Sequence, residues 1–373
     1  GGGLGATHTN VTDFIQTSST GNAADFGDLA ASAIGASCTS TSTRTMITGG
    51  YEPSVAYSDR MQYVTPTTKG NTADFGNLTA GCGYAAGVSN NTRGIQRNGA
   101  APGVNDVTMD TFVFSSLGNA TDFGDITSPG KYGEAAASNS VRGVVAGGRD
   151  PNASPIYIND IDMFNFASTG AGSDFGDLLT ATHYFGGCSD GITALFINGP
   201  NSGSSTQAVQ IMTTGNATDF NDTAIHSNGA PMAAGNRAIN AGGRTSNPGP
   251  AVNIIEYFDI KSRADAVDFG DLTVARLFYG PSADSTNNGG QEVTPSQLGI
   301  SRPGLEHLKD RAFILGGQTP STINVVDSIL ISSKANAIDF GDLTGVRDQQ
   351  GGAGNHIKAL SSNGKLAGSN DAQ

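Results

Sequence analysis

The residues Thr121–Ile126 read TDFGDI, and this motif recurs along the chain with small changes. The other copies are ADFGDL at Ala24–Leu29, ADFGNL at Ala73–Leu78, SDFGDL at Ser173–Leu178, TDFNDT at Thr218–Thr223, VDFGDL at Val267–Leu272 and IDFGDL at Ile338–Leu343. The motif phenylalanine returns about every 48 residues, which lies in the range of one β-propeller blade. The repeat therefore predicts a propeller.

Each repeat contains four segments with the length and composition of β-strands, here called a to d. Strand a is predicted directly after the motif, as in Leu272–Tyr279, and strand b ends in paired glycine, as in Arg142–Gly148. Strand c is β-branched and aromatic, as in Val252–Ile260, and strand d is the motif itself. A turn such as Gly118-Asn119 joins c to d, because both residue types tolerate positive φ.

The two ends of the chain complement each other. The first predicted strand, Val11–Gln16, is a strand c, and the last predicted strand, His356–Leu360, is a strand b. Joined, the two ends supply one more four-stranded blade, as a closed ring requires. We therefore expect an all-β, seven-bladed β-propeller with four-stranded blades, formed by residues 1–373 as one domain, with a closure blade shared by the N- and C-termini.

One interval breaks the period. The distance from Phe269 to Phe340 exceeds the others by about 22 residues, and the excess predicts an inserted loop at about 280–309, between strands a and b. The segment Gly280–Lys309 carries apolar residues, including Val293 and Leu298. Because long loops on rigid scaffolds often bind partners, we expect this insert to contact another protein.

Composition excludes several classes of protein. The net charge is −13, so a cationic nucleic-acid-binding protein is excluded. Three cysteines cannot form a disulfide framework in a chain of 373 residues. No apolar run reaches the roughly 18 residues of a membrane span, so membrane insertion is not expected.

The aspartates of the motif are the main candidates for metal binding. The first is present in every copy, at Asp25, Asp74, Asp122, Asp174, Asp219, Asp268 and Asp339. Carboxylates are ligands that Ca²⁺ prefers, but two at this spacing are too few for a calcium site. The alternative, which we favour, is that each accepts hydrogen bonds from N–H groups of the turn.

Other motifs give no catalytic, cofactor-binding or metal site. DFG occurs without the other kinase signatures, and Gly1–Gly5 lacks the lysine of a phosphate-binding loop. The histidines lack metal-ligand spacing and are expected in turns or at the surface; they are His8, His183, His226, His307 and His356. Cys38, Cys82 and Cys188 are expected to be buried thiols in strand a.

The repeat resembles the kelch motif. Arg276 stands where kelch repeats often carry an arginine, and Gly242-Gly243 and Gly316-Gly317 match the kelch di-glycine. The motif phenylalanine takes the place of the usual tryptophan, which this chain lacks. The segment GNATDFGDIT at Gly118–Thr127 is similar to kelch-like arrays in structural proteins of tailed, especially marine, bacteriophages.

The resemblance implies a non-enzymatic structural or adhesive protein of a phage particle, in the capsid, tail or fibre. Its expected location is the virion or the extracellular space, and its expected partners are other virion proteins or copies of itself. A glycan-binding propeller that recognises host-surface polysaccharide is an alternative, and repeated pockets bearing Tyr or Phe on one face would favour it. A secreted hydrolase or oxidase is a further alternative, which a cleft of converging charged residues would favour.

Overall fold

The computed structural model describes residues 10–16, 24–33, 35–41, 43–90, 92–99, 107–127, 132–150, 154–225, 227, 229–234, 237–246, 249–275, 311–318, 321–330, 334–346, 351–354 and 358–362. Its strands are β1 (Val11–Gln16), β2 (Ala24–Asp28), β3 (Ser37–Ser40), β4 (Thr45–Thr48), β5 (Tyr51–Glu52), β6 (Ala56–Tyr57), β7 (Arg60–Val64), β8 (Ala73–Asn77), β9 (Ala86–Ser89), β10 (Arg93–Arg97), β11 (Thr108–Val113), β12 (Thr121–Asp125), β13 (Ala135–Ser138), β14 (Arg142–Ala146), β15 (Asp160–Asn165), β16 (Ser173–Asp177), β17 (Gly186–Ser189), β18 (Thr193–Gly199), β19 (Gly203–Gln210), β20 (Thr218–Asp222), β21 (Ala230–Ala234), β22 (Arg237–Ala241), β23 (Ile254–Asp259), β24 (Val267–Asp271), β25 (Arg311–Gln318), β26 (Thr322–Leu330), β27 (Ile338–Asp342), β28 (Gly351–Gly354) and β29 (Lys358–Ser362).

These strands form antiparallel sheets, six of which have four strands. From inside to outside, blade 1 is β3-β4-β7-β8, blade 2 is β9 to β12, blade 3 is β13 to β16, blade 4 is β17 to β20, blade 5 is β21 to β24, and the closure blade is β28-β29-β1-β2. The strands β25 to β27 form a three-stranded sheet, and β5 and β6 form a hairpin between β4 and β7.

The prediction of seven four-stranded blades is wrong. The described residues form a six-bladed β-propeller arrangement of four-stranded sheets, and the sheet β25-β26-β27 has only three strands. The predicted strand at Leu272–Tyr279 is not a strand over its described residues, Leu272–Ala275. The physical reason is that the segment directly after the motif has to cross from the outermost strand of one sheet to the innermost strand of the next. In blades 2 to 4, strand a accordingly begins eight or nine residues after the motif, at Ala86, Ala135 and Gly186. The predicted insert Gly280–Lys309 and Arg276 lie outside the described residues.

The closure blade joins the two ends of the chain, as expected. Strand β1 pairs with β2 on one side and with β29 on the other, with Phe14 opposite Leu360. The N-terminal segment thus supplies the outer two strands, and the C-terminal segment supplies the inner two. Inner strands of successive blades contact each other in the order β28, β3, β9, β13, β17 and β21, so strand a lies innermost.

The motif phenylalanine lies in a β-bulge. In blade 2, Met109 lies opposite Gly124 and Asp110 lies opposite Asp122, so Phe123 between them has no residue opposite it. Its ring packs edge-on against Phe164 of blade 3, with ring centroids 5.9 Å apart. Every motif phenylalanine is buried: Phe26, Phe75, Phe123, Phe175, Phe220, Phe269 and Phe340. The repeated motif therefore forms core between sheets, as its regularity predicts.

The motif glycine allows adjacent blades to approach closely. Gly76 has a φ of +146°, and a Cβ there would lie 2.3 Å from the carbonyl oxygen of Gly118 in the next blade. Gly118 donates its N–H to the carbonyl of Phe75, and the Asn119 side chain accepts from the N–H of Asn77. In the Gly118-Asn119 turn only the glycine has a positive φ. The expectation that the asparagine is there because it tolerates positive φ is therefore wrong. The asparagine serves as a hydrogen-bond acceptor between blades.

At six junctions between neighbouring sheets, a polar side chain on strand c adds a second link to the one made by the motif glycine. Asp110 accepts from the backbone N–H of Thr79 at 2.8 Å and from the hydroxyl of Thr79 at 2.6 Å, across the junction of blades 1 and 2. Equivalent pairs are Gln62 with Ala30, Asp162 with Thr127, Gln207 with Leu179, Glu256 with Ala224, and Asp327 with Thr273. Aspartate faces threonine in each pair, whereas the longer Gln or Glu faces a residue without a hydroxyl.

Candidate functional site

Six of the nine tyrosines lie in loops at one face of the propeller, where the b–c connections meet the connections between blades. They are Tyr51 and Tyr57 in blade 1, Tyr84, Tyr132 and Tyr184 in the connections from blade 1 to blade 2, 2 to 3 and 3 to 4, and Tyr157 in blade 3. We call these six residues, with Arg149 and His183, the tyrosine band. All six tyrosines are half-buried, so part of each ring remains exposed at this face.

The connections between blades place two of these rings. Tyr84 and Tyr184 have positive φ values of 54° and 48°, which cost about 1–2 kcal/mol in a residue with a side chain. Each ring lies against a glycine of the preceding connection, Gly35 under Tyr84 and Gly133 under Tyr184. Backbone hydrogen bonds join the same residues: Tyr84 N–H to Gly35, Gly133 N–H to Tyr84, and Tyr184 N–H to Gly133. Strained backbone of this kind is concentrated at functional sites.

Arg149 ties Tyr132 into the band. Its Nη1 donates to the Tyr132 hydroxyl at 2.6 Å, and its guanidinium lies 5.7 Å from the centre of that ring. The Tyr132 ring is 6.1 Å from the ring of Tyr184. In blade 1, the rings of Tyr51 and Tyr57 pack edge-on with centroids 5.6 Å apart.

His183 supports the other end of the band. Its ring stacks on Tyr157 at 4.5 Å and lies 4.8 Å from Tyr184. Burial and, to a smaller extent, the charge of Arg149 together lower the pKa of His183 to about 4, so the imidazole is neutral at neutral pH. Of the two expected placements, in a turn or at the surface, His183 is not at the surface: it is 9% exposed and lies in the connection between blades 3 and 4. Its role in this arrangement is to hold two tyrosine rings.

Two phenols of the band, those of Tyr57 and Tyr184, have a raised pKa and stay protonated at neutral pH. Burial raises the pKa of Tyr57, and the neighbouring Tyr51 and Tyr132 raise it further. Burial also raises the pKa of Tyr184, with smaller contributions from Tyr132, Tyr84 and Tyr57. These shared influences show that the tyrosines of blade 1 and of the later connections form one electrostatic neighbourhood.

Two ion pairs lie beside the band. Arg60 lies 3.3 Å from the buried carboxylate of Glu52, within the loop that carries Tyr51 and Tyr57. Arg97 at the end of β10 lies 3.2 Å from Glu134, which follows Tyr132 closely in the next connection. Both members of the second pair are fully buried, so this pair fixes the Tyr132 loop to blade 2.

The motif aspartates serve the turn, as we favoured. Their carboxylates accept hydrogen bonds from the N–H of the motif glycine, at Asp25, Asp122, Asp174 and Asp339. Within the described ranges, no three His, Cys, Asp or Glu side chains come together in a way that could hold a metal ion.

The other sequence candidates are dispersed. Cys38 lies in β3 and Cys188 in β17, whereas Cys82 lies in the connection before β9 and not in a strand; all three are buried. His8, His226, His307 and His356 lie outside the described residues.

A cavity of about 310 Å³ opens at the opposite face, between blades 1 and 2, and is lined by threonine hydroxyls, Arg44 and Phe114. Arg44 there already donates to the carbonyl of Phe114.

Sequence reasoning missed the tyrosine band and the polar residues of strand c. Tyr84, Tyr132 and Tyr184 each lie nine residues after a motif phenylalanine, so the period could have revealed these three, whereas the other tyrosines of the band have no such regular place. For the band as a whole, the concentration of tyrosines between Tyr51 and Tyr184 was the available signal. The strand-c residues do recur, but as Gln, Asp or Glu, so no single letter marks the position.

The fold has relatives among solved structures. The chain is similar to the structure of YjhT, a propeller, with a TM-score of 0.55 and 10% sequence identity over 77% of this chain and 95% of that one. No protein-family model and no curated protein matches the sequence. Nowhere in the described ranges is there a helix with the length and hydropathy to cross a membrane. The chain therefore has a β-propeller fold with repeated blades.

Proposed function

We propose that the protein is a non-enzymatic adhesive propeller whose tyrosine band binds glycans of a cell surface. The band carries the proposal, because it presents half-buried rings with phenol hydroxyls on one face of a rigid scaffold. Aromatic rings stack against the C–H face of sugars, and hydroxyls supply the hydrogen bonds that fix orientation. Three classes were considered at the outset: a structural scaffold, a glycan-binding propeller and a secreted hydrolase or oxidase. The band supports an adhesive protein that combines the first two.

Glycan binding by single-residue variants tests the proposal. The purified chain is screened on a glycan array, and the best glycan is then titrated by calorimetry. Tyr132→Ala and Tyr184→Ala should each weaken binding about three- to tenfold, as loss of one aromatic contact implies. The Phe variants should retain most of the affinity. Ile192→Ala, at a residue 62% exposed at the opposite face, is the matched control. Failure of the native chain to bind any glycan would overturn the proposal.

A test for reaction separates adhesion from the hydrolase or oxidase alternative. The bound glycan is incubated with the protein and then examined by mass spectrometry. A glycan whose length and oxidation state are unchanged after incubation would support binding without catalysis. Appearance of a shorter or oxidised product would show an enzyme and would overturn the non-enzymatic part of the proposal.

The proposed location is a phage particle, where the chain would contact other virion proteins or copies of itself and attach the particle to its host. The resemblance of Gly118–Thr127 to kelch-like arrays of tailed phages supports this placement. Mass spectrometry of purified particles tests it. The chain should be present in stoichiometric amount after particles are washed at high salt, and its absence from the particles would contradict the placement.

A further inference from the structure

We infer that the glycan bound by the tyrosine band carries an acidic group, a carboxylate or a sulfate, that pairs with Arg149. This inference rests on the proposed function and specifies the ligand of the same site. It follows from the partners that Arg149 has, and from those that it lacks, among the described residues.

Arg149 has one side-chain hydrogen bond in the part of the chain that the structure describes. Its guanidinium carries five N–H groups, and the described residues accept from one of them, through the Tyr132 hydroxyl at 2.6 Å. The side chain is half-buried, and its Nε is buried without an acceptor among the described atoms. A half-buried cation has already lost part of its hydration, so it gains more from an anion than a fully exposed cation does.

The carboxylates near the band do not neutralise this cation. Glu52 and Glu134 each pair with a different arginine. Asp150 follows Arg149 directly in the chain and is buried, but within the described ranges it forms no ion pair with Arg149. The positive charge therefore has no anionic partner among the residues that the structure describes.

The groups around Arg149 are donors or uncharged rings. The Tyr132 hydroxyl accepts from Arg149, so its own hydrogen is left to donate to a ligand oxygen. Burial lowers the pKa of His183 and raises the pKa of Tyr184, so both rings are uncharged at neutral pH. Two donor groups side by side favour an oxygen that carries negative charge, and the planar guanidinium matches the geometry of an acidic group.

Arg244 provides a matched control for the charge of Arg149. It follows a glycine pair in blade 5 as Arg149 does in blade 3, but its backbone bridges to Ser227, where that of Arg149 bridges to Tyr132. The net charge of −13 acts against any anion at a distance. Replacing either arginine by Gln changes the net charge by the same amount, so only a local contact can separate the two variants.

A glycan array that pairs neutral oligosaccharides with uronic-acid and sulfated counterparts of the same linkage tests the inference. The native chain should retain the acidic member of a pair about tenfold more tightly, as one charge-assisted contact implies. Arg149→Gln should remove most of this preference, whereas Arg244→Gln should leave it unchanged. Arg149→Lys keeps the charge without the planar fork and should fall between them. Urea unfolding checks that each variant is folded, and the comparison within the native chain depends on no variant.

The outcomes separate the two proposals. Equal or tighter binding of the neutral members by the native chain would overturn the inference and leave glycan binding by the band intact. The same loss of preference in Arg149→Gln and Arg244→Gln would show a general effect of charge and overturn the assignment to Arg149. Acidic binding that Tyr184→Ala does not weaken would overturn the placement at the band. No retention of any glycan by the native chain would overturn the proposed function as well.

Discussion

Thr79 of blade 1 donates both its backbone N–H and its hydroxyl to the carboxylate of Asp110 in blade 2, at 2.8 and 2.6 Å. At other junctions a longer Gln or Glu accepts from the equivalent backbone N–H of a residue without a hydroxyl, as Gln62 does from Ala30 at 2.7 Å. The strand-c side chain is thus the shorter Asp where the residue on the neighbouring blade is Thr, and the longer Gln or Glu where that residue has no hydroxyl. The junctions are chemically equivalent although their sequences differ.

Asp110→Ala should lower the free energy of unfolding by about 1–3 kcal/mol, because it leaves the buried amide of Asn98 without an acceptor and removes the contact with Thr79. The double variant Thr79→Ala/Asp110→Gln reproduces the Ala30–Gln62 pair and should recover a large part of this loss. Urea unfolding measures both variants. A double variant that is less stable than Asp110→Ala would contradict the matching of the pair.

Gly76→Ala should destabilise the chain much more than Gly118→Ala. The two glycines have nearly the same φ, +146° and +148°, so both changes carry similar backbone strain of roughly 1–3 kcal/mol. A Cβ at Gly76 would collide with the backbone of Gly118, whereas a Cβ at Gly118 meets nothing within 4 Å. The difference between the urea midpoints of the two variants measures the effect of the close approach of the blades at Gly76. Equal midpoints would contradict such an effect.

Arg97→Ala should cost about 3–5 kcal/mol, because it leaves the buried carboxylate of Glu134 without its cation. The apolar pair Arg97→Met/Glu134→Leu should be far less harmful, since it removes both charges together. Thermal unfolding of the two variants checks this. A harmless Arg97→Ala would show that the ion pair does not hold the junction of blades 2 and 3.

Glu256 should make stability fall as pH rises from about 4.5 to about 7. Burial raises the pKa of Glu256 to about 7, against hydrogen bonds from the N–H groups of Ala224 and Ile225 and from Asn240, which lower it. The folded chain then keeps a proton that the unfolded chain loses in this window, which amounts to roughly 3 kcal/mol.

Glu256→Gln should flatten the pH dependence, because Gln carries no titrating proton. Gln207→Glu, at the same place in blade 4, should introduce a similar dependence and serves as the reciprocal control. The measurement is the urea midpoint at pH 5 and pH 8. An unchanged difference between the two pH values in Glu256→Gln would refute the assignment.

The sequence predicted those features that depend on the same amino acid at the same position of each repeat. The motif phenylalanines marked the core between blades, and the strand inventory predicted that the two ends of the chain share a sheet. It did not predict that the residues directly after Leu272 form a connection, because the crossing from the outer strand of one sheet to the inner strand of the next is set by how the sheets stack. Nor did it predict the tyrosine band, since Tyr84 and Tyr184 meet their glycine neighbours only after the blades are stacked around the axis.

Because β1 pairs with β29, the closure blade cannot form during translation until β29 has been synthesised. Strand β1 leaves the ribosome early, yet its inner partner emerges only after almost all of the other described strands. Until then the β1–β2 hairpin has an open edge, and a lone hairpin is only marginally stable. A second nascent chain on the same messenger can offer its own β29 to that edge. Crowded polysomes would therefore favour exchanged dimers, in which each ring is closed by strands of the other copy.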